Sequence, residues 1–180
     1  AYDQQLISLG TPIYTERNRF LKSFIPIFKK YYNNISSGDD SVNIKYNSHL
    51  NEGSFKEIIN SSISKDRFVQ YTTKGIHKDD LEFLIDGNKI KNFGSQGQQK
   101  SFLVSLKLAQ FEYYKDQLGS SPIVLLDDIF DKLDQSRVSQ IVSILEKNEF
   151  GQIFITDTHR ERVEEALKDS SNKEEIFNIE

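Results

Sequence analysis

The chain has no cysteine, no methionine and no tryptophan, and only three prolines in 180 residues. Without cysteine there can be no disulfide, no thiolate zinc site and no thiol nucleophile, an absence compatible with the cytoplasm. No apolar run approaches the roughly 20 residues that a membrane-spanning helix needs, and no signal-like pattern opens the chain, so no membrane role is expected. The nine glycines fall at 10, 38, 53, 75, 87, 94, 97, 119 and 151, and no two are five apart. A phosphate-cradling P-loop needs that spacing, followed by Lys and Ser or Thr, so this chain has no Walker A element. Starting at Ala1 without any methionine, it is expected to be a piece excised from a longer protein.

What remains is ordinary for a folded chain. With 37% hydrophobic and 28% charged residues, it can bury a core of one domain or one and a half. The net charge of −4 hides an asymmetry. Residues 1–34 carry Arg17, Arg19, Lys22, Lys29 and Lys30 against Asp3 and Glu16, a balance of +3, whereas residues 101–180 carry 9 basic and 16 acidic side chains, a balance of −7. Nucleic acid would be drawn to the first region and repelled by much of the second, although each cluster also reads as a solvated helix face.

Apolar residues at Leu6, Ile13, Phe20, Leu21, Phe24, Ile27, Phe28 and Tyr31 predict helix over 3–33, broken or bent at Pro12 and Pro26. A loop is expected at 34–40, and a short strand through Val42, Ile44 and Tyr46. Ser54 and Glu57 form a capping-box pattern for a helix over 55–63. A second helix over 66–74 would stop at Gly75. Residues 81–85 and 89–93 flank Asp86-Gly87-Asn88 as a hairpin. A polar glycine loop at 94–97 precedes a helix over 98–116, with Phe102, Leu106, Ala109 and Tyr113 on one face, ended by Gly119. Ile123 to Leu126 reads as a strand buried on both faces. A helix over 135–147, a strand over 153–155, a charged helix over 160–168 and a last strand at 175–179 complete the pattern. Strand, helix, strand, helix implies parallel pairing with right-handed crossovers. The division falls near residue 75, between a mainly helical part and an α/β part.

Three segments could carry chemistry. Ser95-Gln96-Gly97-Gln98-Gln99-Lys100 lies where a helix begins, so unpaired backbone N–H groups, a hydroxyl donor, a residue without Cβ and a cation meet at one place, as phosphate binding requires. The same pattern serves a plain polar helix cap. Asp127 and Asp128 end a buried strand, at the edge where open α/β sheets bind ligands. Adjacent acids face opposite ways, which suits Asp127 to hold Mg2+ and Asp128 to orient or activate a water; an acid pair at a strand end also occurs without such a role. Asp131-Lys132-Leu133-Asp134 follows as a turn in which Asp134 can cap the next helix.

In this order the three segments resemble the ABC-type ATPases, and within them the RecF family. Ser95 to Lys100 matches the signature loop in its SQGQQK form, Asp127 and Asp128 match the end of Walker B, and Asp131, Leu133 and Asp134 fall in the D-loop. Tyr2-Asp3-Gln4-Gln5-Leu6 and Gly75-Ile76-His77-Lys78-Asp79-Asp80-Leu81 extend the resemblance over nearly the whole chain, strongest over 75–158. It implies a partial P-loop-NTPase-like lobe over 75–180 and a helical arm over 1–74. It further implies ATP and Mg2+ as cofactors of the full-length protein, an ATP-dependent homodimer clamped on gapped DNA, partnership with RecO and RecR, and a cytoplasmic location. The signature loop would serve a neighbour's nucleotide in trans, and Asp127 and Asp128 their own subunit's in cis, leaving the chain alone inactive. Asp128 stands where most ABC ATPases have glutamate, one methylene longer, which implies slow turnover. Thr158 and His159 are rival candidates for the residue that senses the γ-phosphate, and His159 also reads as an exposed helix-start residue. Two alternatives stay open: the head of another SMC-like or OLD-type ATPase, and a DNA- or protein-binding module with vestigial ABC motifs.

Overall fold

The computed structural model describes residues 2–36, 40–147, 150–168 and 175–177. They form two compact packing units, the first from residues 1–26 and 41–93, the second from 27–40 and 94–180. These units cross-cut the sequence division at residue 75, because 75–93 packs with the first and 27–40 with the second.

Helix α1 runs continuously over Tyr2–Ser36 with Pro12 and Pro26 inside it, so of the two forms expected, two helices or one bent helix, the break does not occur, and the loop predicted from residue 34 begins later. Each proline costs a backbone hydrogen bond. Around Pro12 that loss is offset by packing on both sides: Ile7 and Tyr14 lie against the buried cluster of Leu50, Phe55, Ile58 and Ile59. Pro26 coincides with the division between the units. Residues 37–39 of the expected loop lie outside the described residues.

In the first unit, β1 (Val42–Asn47) pairs antiparallel with β2 (Asp80–Ile85). β2 pairs in turn with the two-residue β3 (Asn88–Lys89). The turn places Asp86 at φ 47° and Gly87 at φ 78°, the doubly left-handed geometry that suits a two-residue hairpin. The second arm of the hairpin is shorter than expected. Ile90–Phe93 forms a helical turn, α3, that buries Ile90 and leaves Phe93 exposed.

Helix α2 (Phe55–Val69) starts with the expected capping box of Ser54 and Glu57. It runs past residue 63 and ends at Gln70 in the left-handed region, so no separate helix forms over 66–74 and Gly75 is not its C-cap. Asp66 accepts a bond from the Thr73 N–H at 2.9 Å, which ties the irregular segment after Gln70 back to the helix. Gly75 instead adopts φ 134° before a 3-10 turn at Ile76–Lys78.

The Gly75–Leu81 segment contains a buried tie. The Asp79 side chain is 3% exposed and takes Arg17 Nη1 at 2.8 Å, and the Tyr46 hydroxyl donates to the same carboxylate oxygen. Arg17 also donates to the Ile76 carbonyl at 2.9 Å. Asp79→Ala would leave two donors without their acceptor. We expect it to lower the unfolding free energy by about 2 kcal/mol, since Arg17 is half exposed and can partly rehydrate. Denaturant unfolding of the chain measures this, and an unchanged midpoint would exclude the tie as a stabilising element.

In the second unit, α4 (Gln96–Leu118) ends at Gly119 in the left-handed region. It buries more than the one face predicted: Ser101, Val104, Ser105, Leu108 and Phe111 join Phe102 and Ala109, while Leu106 and Tyr113 are only half buried. Phe28, on the last turns of α1, meets Phe102 with centroids 4.6 Å apart. β4 (Ile123–Asp127) and β5 (Gln152–Thr156) pair in parallel, Asp127 opposite Thr156, with α5 (Gln135–Lys147) between them in sequence. β4 is not buried on both faces: Val124 and Leu126 are inside, but Ile123 and Leu125 are 62% and 73% exposed. The helices of this unit cover one side of a two-stranded sheet, and nothing among the described residues covers the other. Helix α6 (Arg160–Leu167) follows β5. Residues 175–177 form no strand, and 178–179 of the predicted last strand lie outside the described residues.

Candidate functional site

All the sequence-predicted site residues fall in the second unit. Ser95 is the N-cap of α4, and its Oγ accepts from the Gln98 N–H at 3.2 Å while Gln98 Oε1 accepts from the Ser95 N–H at 2.8 Å. That reciprocal box fixes the first turn of the helix. It uses one lone pair of the Ser95 hydroxyl and leaves its proton available. Ser95, Gln96 and Gln99 are exposed, and helix geometry leaves first-turn N–H groups without partners inside the helix.

The side chains of Gln98, Gln99 and Lys100 bond within the chain. Gln98 Nε2 donates to Asp40 at 3.0 Å, and Gln99 Nε2 donates to the Gly94 carbonyl at 2.8 Å. Lys100 Nζ donates to the Asp128 carbonyl at 2.6 Å. Gly97 lies within the first turn of α4, where an added Cβ would sit 2.4 Å from Arg137 Nη1 and 3.4 Å from the Lys132 carbonyl oxygen. Gly97 therefore faces the acidic turn and the Arg137 side chain of the same unit.

At the end of β4, Asp127 is exposed and accepts a bond from the Thr156 hydroxyl. Asp128 is half buried and left-handed at φ 48°, with its N–H bonded to the Thr156 carbonyl at 3.0 Å. Such backbone is uncommon for a residue with a Cβ and marks a constrained turn. Buried Ile129 and Phe130 then anchor the chain. Asp131 and Leu133 are half buried on either side of left-handed Lys132. Asp134 caps α5 as expected, its carboxylate taking the Arg137 N–H at 3.0 Å.

After β5, Thr158 and His159 are both exposed and bonded to each other, Oγ1 to Nδ1 at 2.9 Å. Buried Asp157 holds the His159 N–H at 2.8 Å. Three contributors escaped the sequence reading: Thr156, which braces Asp127; Asp157, which sets the backbone of His159; and Arg137, which faces Gly97. The parallel register of Asp127 with Thr156 was the one signal available for the first. Nothing in the spacing pointed to the other two.

Asp127 and the Thr156 hydroxyl form a hard-oxygen donor pair at a sheet edge, which suits Mg2+. Among the described residues no group of three or more His, Cys, Asp or Glu could hold a metal ion. Mg2+ is commonly held by one or two carboxylates with phosphate oxygens and waters completing its shell, so the residues fit a metal that arrives with a nucleotide.

No protein-family model matches the chain. It is 51% identical over 178 residues to the DNA replication and repair protein RecF of Flavobacterium johnsoniae, covering 99% of this chain and 50% of that protein. RecF of Phocaeicola vulgatus is 43% identical over 180 residues, 99% of this chain and 48% of that protein. The chain thus spans about half the length of the curated relatives it matches. Among solved structures, the recombination mediator protein RecF-ATPrS in RecFOR pathway superposes with a TM-score of 0.72 at 26% identity, over 88% of this chain and 44% of that one. The SmcHead bound to the C-winged helix domain of ScpA shares the fold at a TM-score of 0.50 and 16% identity, over 77% of this chain and 35% of that one. The chain belongs to the RecF family, corresponds to a C-terminal portion of its members, and carries part of the ABC-type ATPase head fold that RecF shares with SMC proteins.

Proposed function

We propose that this chain supplies two half-sites of an ATP-driven clamp that acts on DNA in repair. Ser95 to Lys100 would close on the γ-phosphate of a nucleotide held by a second subunit, with Ser95 and the open first turn of α4 as donors. Asp127 would hold Mg2+ and Asp128 would orient the attacking water at the chain's own nucleotide site. The D-loop residues Asp131, Leu133 and Asp134 would lie along the dimer contact. Bonded to each other, Thr158 and His159 would act as one switch toward the γ-phosphate. Bound Mg2+ would neutralise charge on the phosphate oxygens; the chain's own part is to place the carboxylates.

One observation carries this reading: an exposed, capped helix start and a strand ending in two acids lie in one unit, joined by the Lys100–Asp128 bond. RecF relatives are named for DNA replication and repair, and the ATPrS in the name of the solved RecF supports a nucleotide at this head. From the family resemblance we extend the role to a homodimer on gapped DNA acting with RecO and RecR in the cytoplasm. Residues 1–74 would be the arm and 75–180 the head, a division by role that differs from the two packing units. Among the described residues no helix is long and apolar enough to cross a membrane.

The test is self-association of the full-length protein, this chain continuous with the other half of the RecF length. Light scattering should show the mass doubling with ATP and Mg2+. The isolated chain should show no doubling and no micromolar ATP affinity by calorimetry, because it has no Walker A loop. Micromolar binding to the isolated chain, or a full-length protein indifferent to ATP, would refute the division into half-sites.

A further inference from the structure

Lys100 belongs by sequence to the loop assigned to a neighbour's phosphate, yet its ammonium is engaged within its own chain. Nζ donates to the Asp128 carbonyl at 2.6 Å in a half-buried setting. Asp128 is a non-glycine residue at φ 48°, a conformation that persists where its surroundings over-determine it. Both of its backbone groups are tied: the N–H to the Thr156 carbonyl at 3.0 Å and the carbonyl to Lys100. With these two anchors and buried Ile129 and Phe130 after it, the Asp128 backbone is held on both sides, at the base of its carboxylate side chain. The same parts approach again at Gly97, where a Cβ would meet the tip of the Arg137 side chain at 2.4 Å and lie in ordinary contact with the Lys132 carbonyl at 3.4 Å.

We propose that Lys100 is a positioning residue for Asp128, acting within its own chain, and that through it contact of Ser95 with a neighbour's phosphate is transmitted to this chain's own Walker-B acids. The inference rests on the reading of Asp128 as the residue that orients water. Lys100 and Ser95 stand on the first two turns of one helix. A displacement of that helix on closure pulls directly on the carbonyl of Asp128. Loss of the ammonium leaves that carbonyl without its donor and frees the peptide to relax from the left-handed region, turning the carboxylate away.

The experiment uses the full-length protein with Lys100→Met, Lys100→Arg, Asp128→Asn and the Lys100→Met/Asp128→Asn double variant. ATP affinity is measured by calorimetry and hydrolysis in single turnovers. Lys100→Met is expected to slow hydrolysis about 10- to 100-fold while ATP affinity stays within about twofold, the pattern of a lost positioning effect. Lys100→Arg should restore most of the rate, since it can still donate to a carbonyl. The double variant should be no slower than Asp128→Asn alone, because both changes disable one group. Multiplying losses, or an ATP affinity that falls about tenfold with the rate kept, would overturn the proposal by showing that Lys100 acts elsewhere or touches the nucleotide. If Asp128→Asn hydrolyses at the wild-type rate, the role given to Asp128 falls and this inference with it. If Asp128→Asn is slow and Lys100→Met is not, only the inference falls. Should Lys100→Met fail to fold, Lys100→Gln enters the same comparisons.

Discussion

Ser95→Arg in the full-length protein is expected to abolish ATP-dependent self-association while the ATP affinity of each subunit changes by less than about threefold. Ser95 sits on the exposed start of α4 and presents both a hydroxyl proton and the helix's open N–H groups outward. Arginine removes that hydroxyl and projects a long side chain over the surface that a partner's phosphate must reach. It also removes the cap, which costs about 1 kcal/mol of local helix stability. In the proposed arrangement the subunit's own nucleotide would be gripped by Walker A and Walker B elements, so its affinity should persist. Two companions separate the causes. Ser95→Thr keeps hydroxyl and cap and should dimerise; Ser95→Ala loses both without adding bulk and should be intermediate. Sedimentation with and without ATP reads the result, and normal dimerisation of Ser95→Arg would remove Ser95 from the site.

Asp127→Asn should reduce hydrolysis by roughly 100- to 1,000-fold and raise the Mg2+ concentration needed for what remains, as expected when a charged group that holds the metal is lost. The substitution is nearly isosteric, and an amide oxygen can still accept from the Thr156 hydroxyl that braces this position. The sheet edge should therefore stay in place, and the effect should report the missing charge. Because the described residues contain no cluster able to hold a metal by themselves, the carboxylate would matter only once a nucleotide supplies the other oxygens. Titration of Mg2+ against hydrolysis rate is the measurement. An unchanged Mg2+ dependence would mean that Asp127 does not serve the metal.

Much of this architecture was legible from local rules. The capping box at Ser54 and Glu57, the Asp86-Gly87 turn, the Gly119 terminus and the amphipathic run of α5 depend on a few neighbouring residues, and each forms where the pattern places it. Failures came where distant contacts outweighed local preference. Of the break or bend expected at Pro12, the break does not occur, and Ile7 and Tyr14 are packed on either side of it. The apolar run of β4 suggested burial on both faces, but Ile123, Leu125 and Phe154 lie bare. A run of apolar residues records what a strand can bury; whether it does so depends on which elements the chain brings to each face.

The sequence by itself determined the class of the protein and the candidate groups: Ser95 at a helix start, Asp127 and Asp128 at a strand end, and no P-loop among the glycines. Those features are short and contiguous, so order along the chain is enough to expose them. Only the tertiary structure decided how they are held. Lys100 reaches the Asp128 carbonyl across 28 positions, Thr156 braces Asp127 from the neighbouring strand, and α5 brings the Arg137 guanidinium beside Gly97. Hydrogen bonds and close approaches between residues far apart in sequence depend on packing, and no local spacing encodes them.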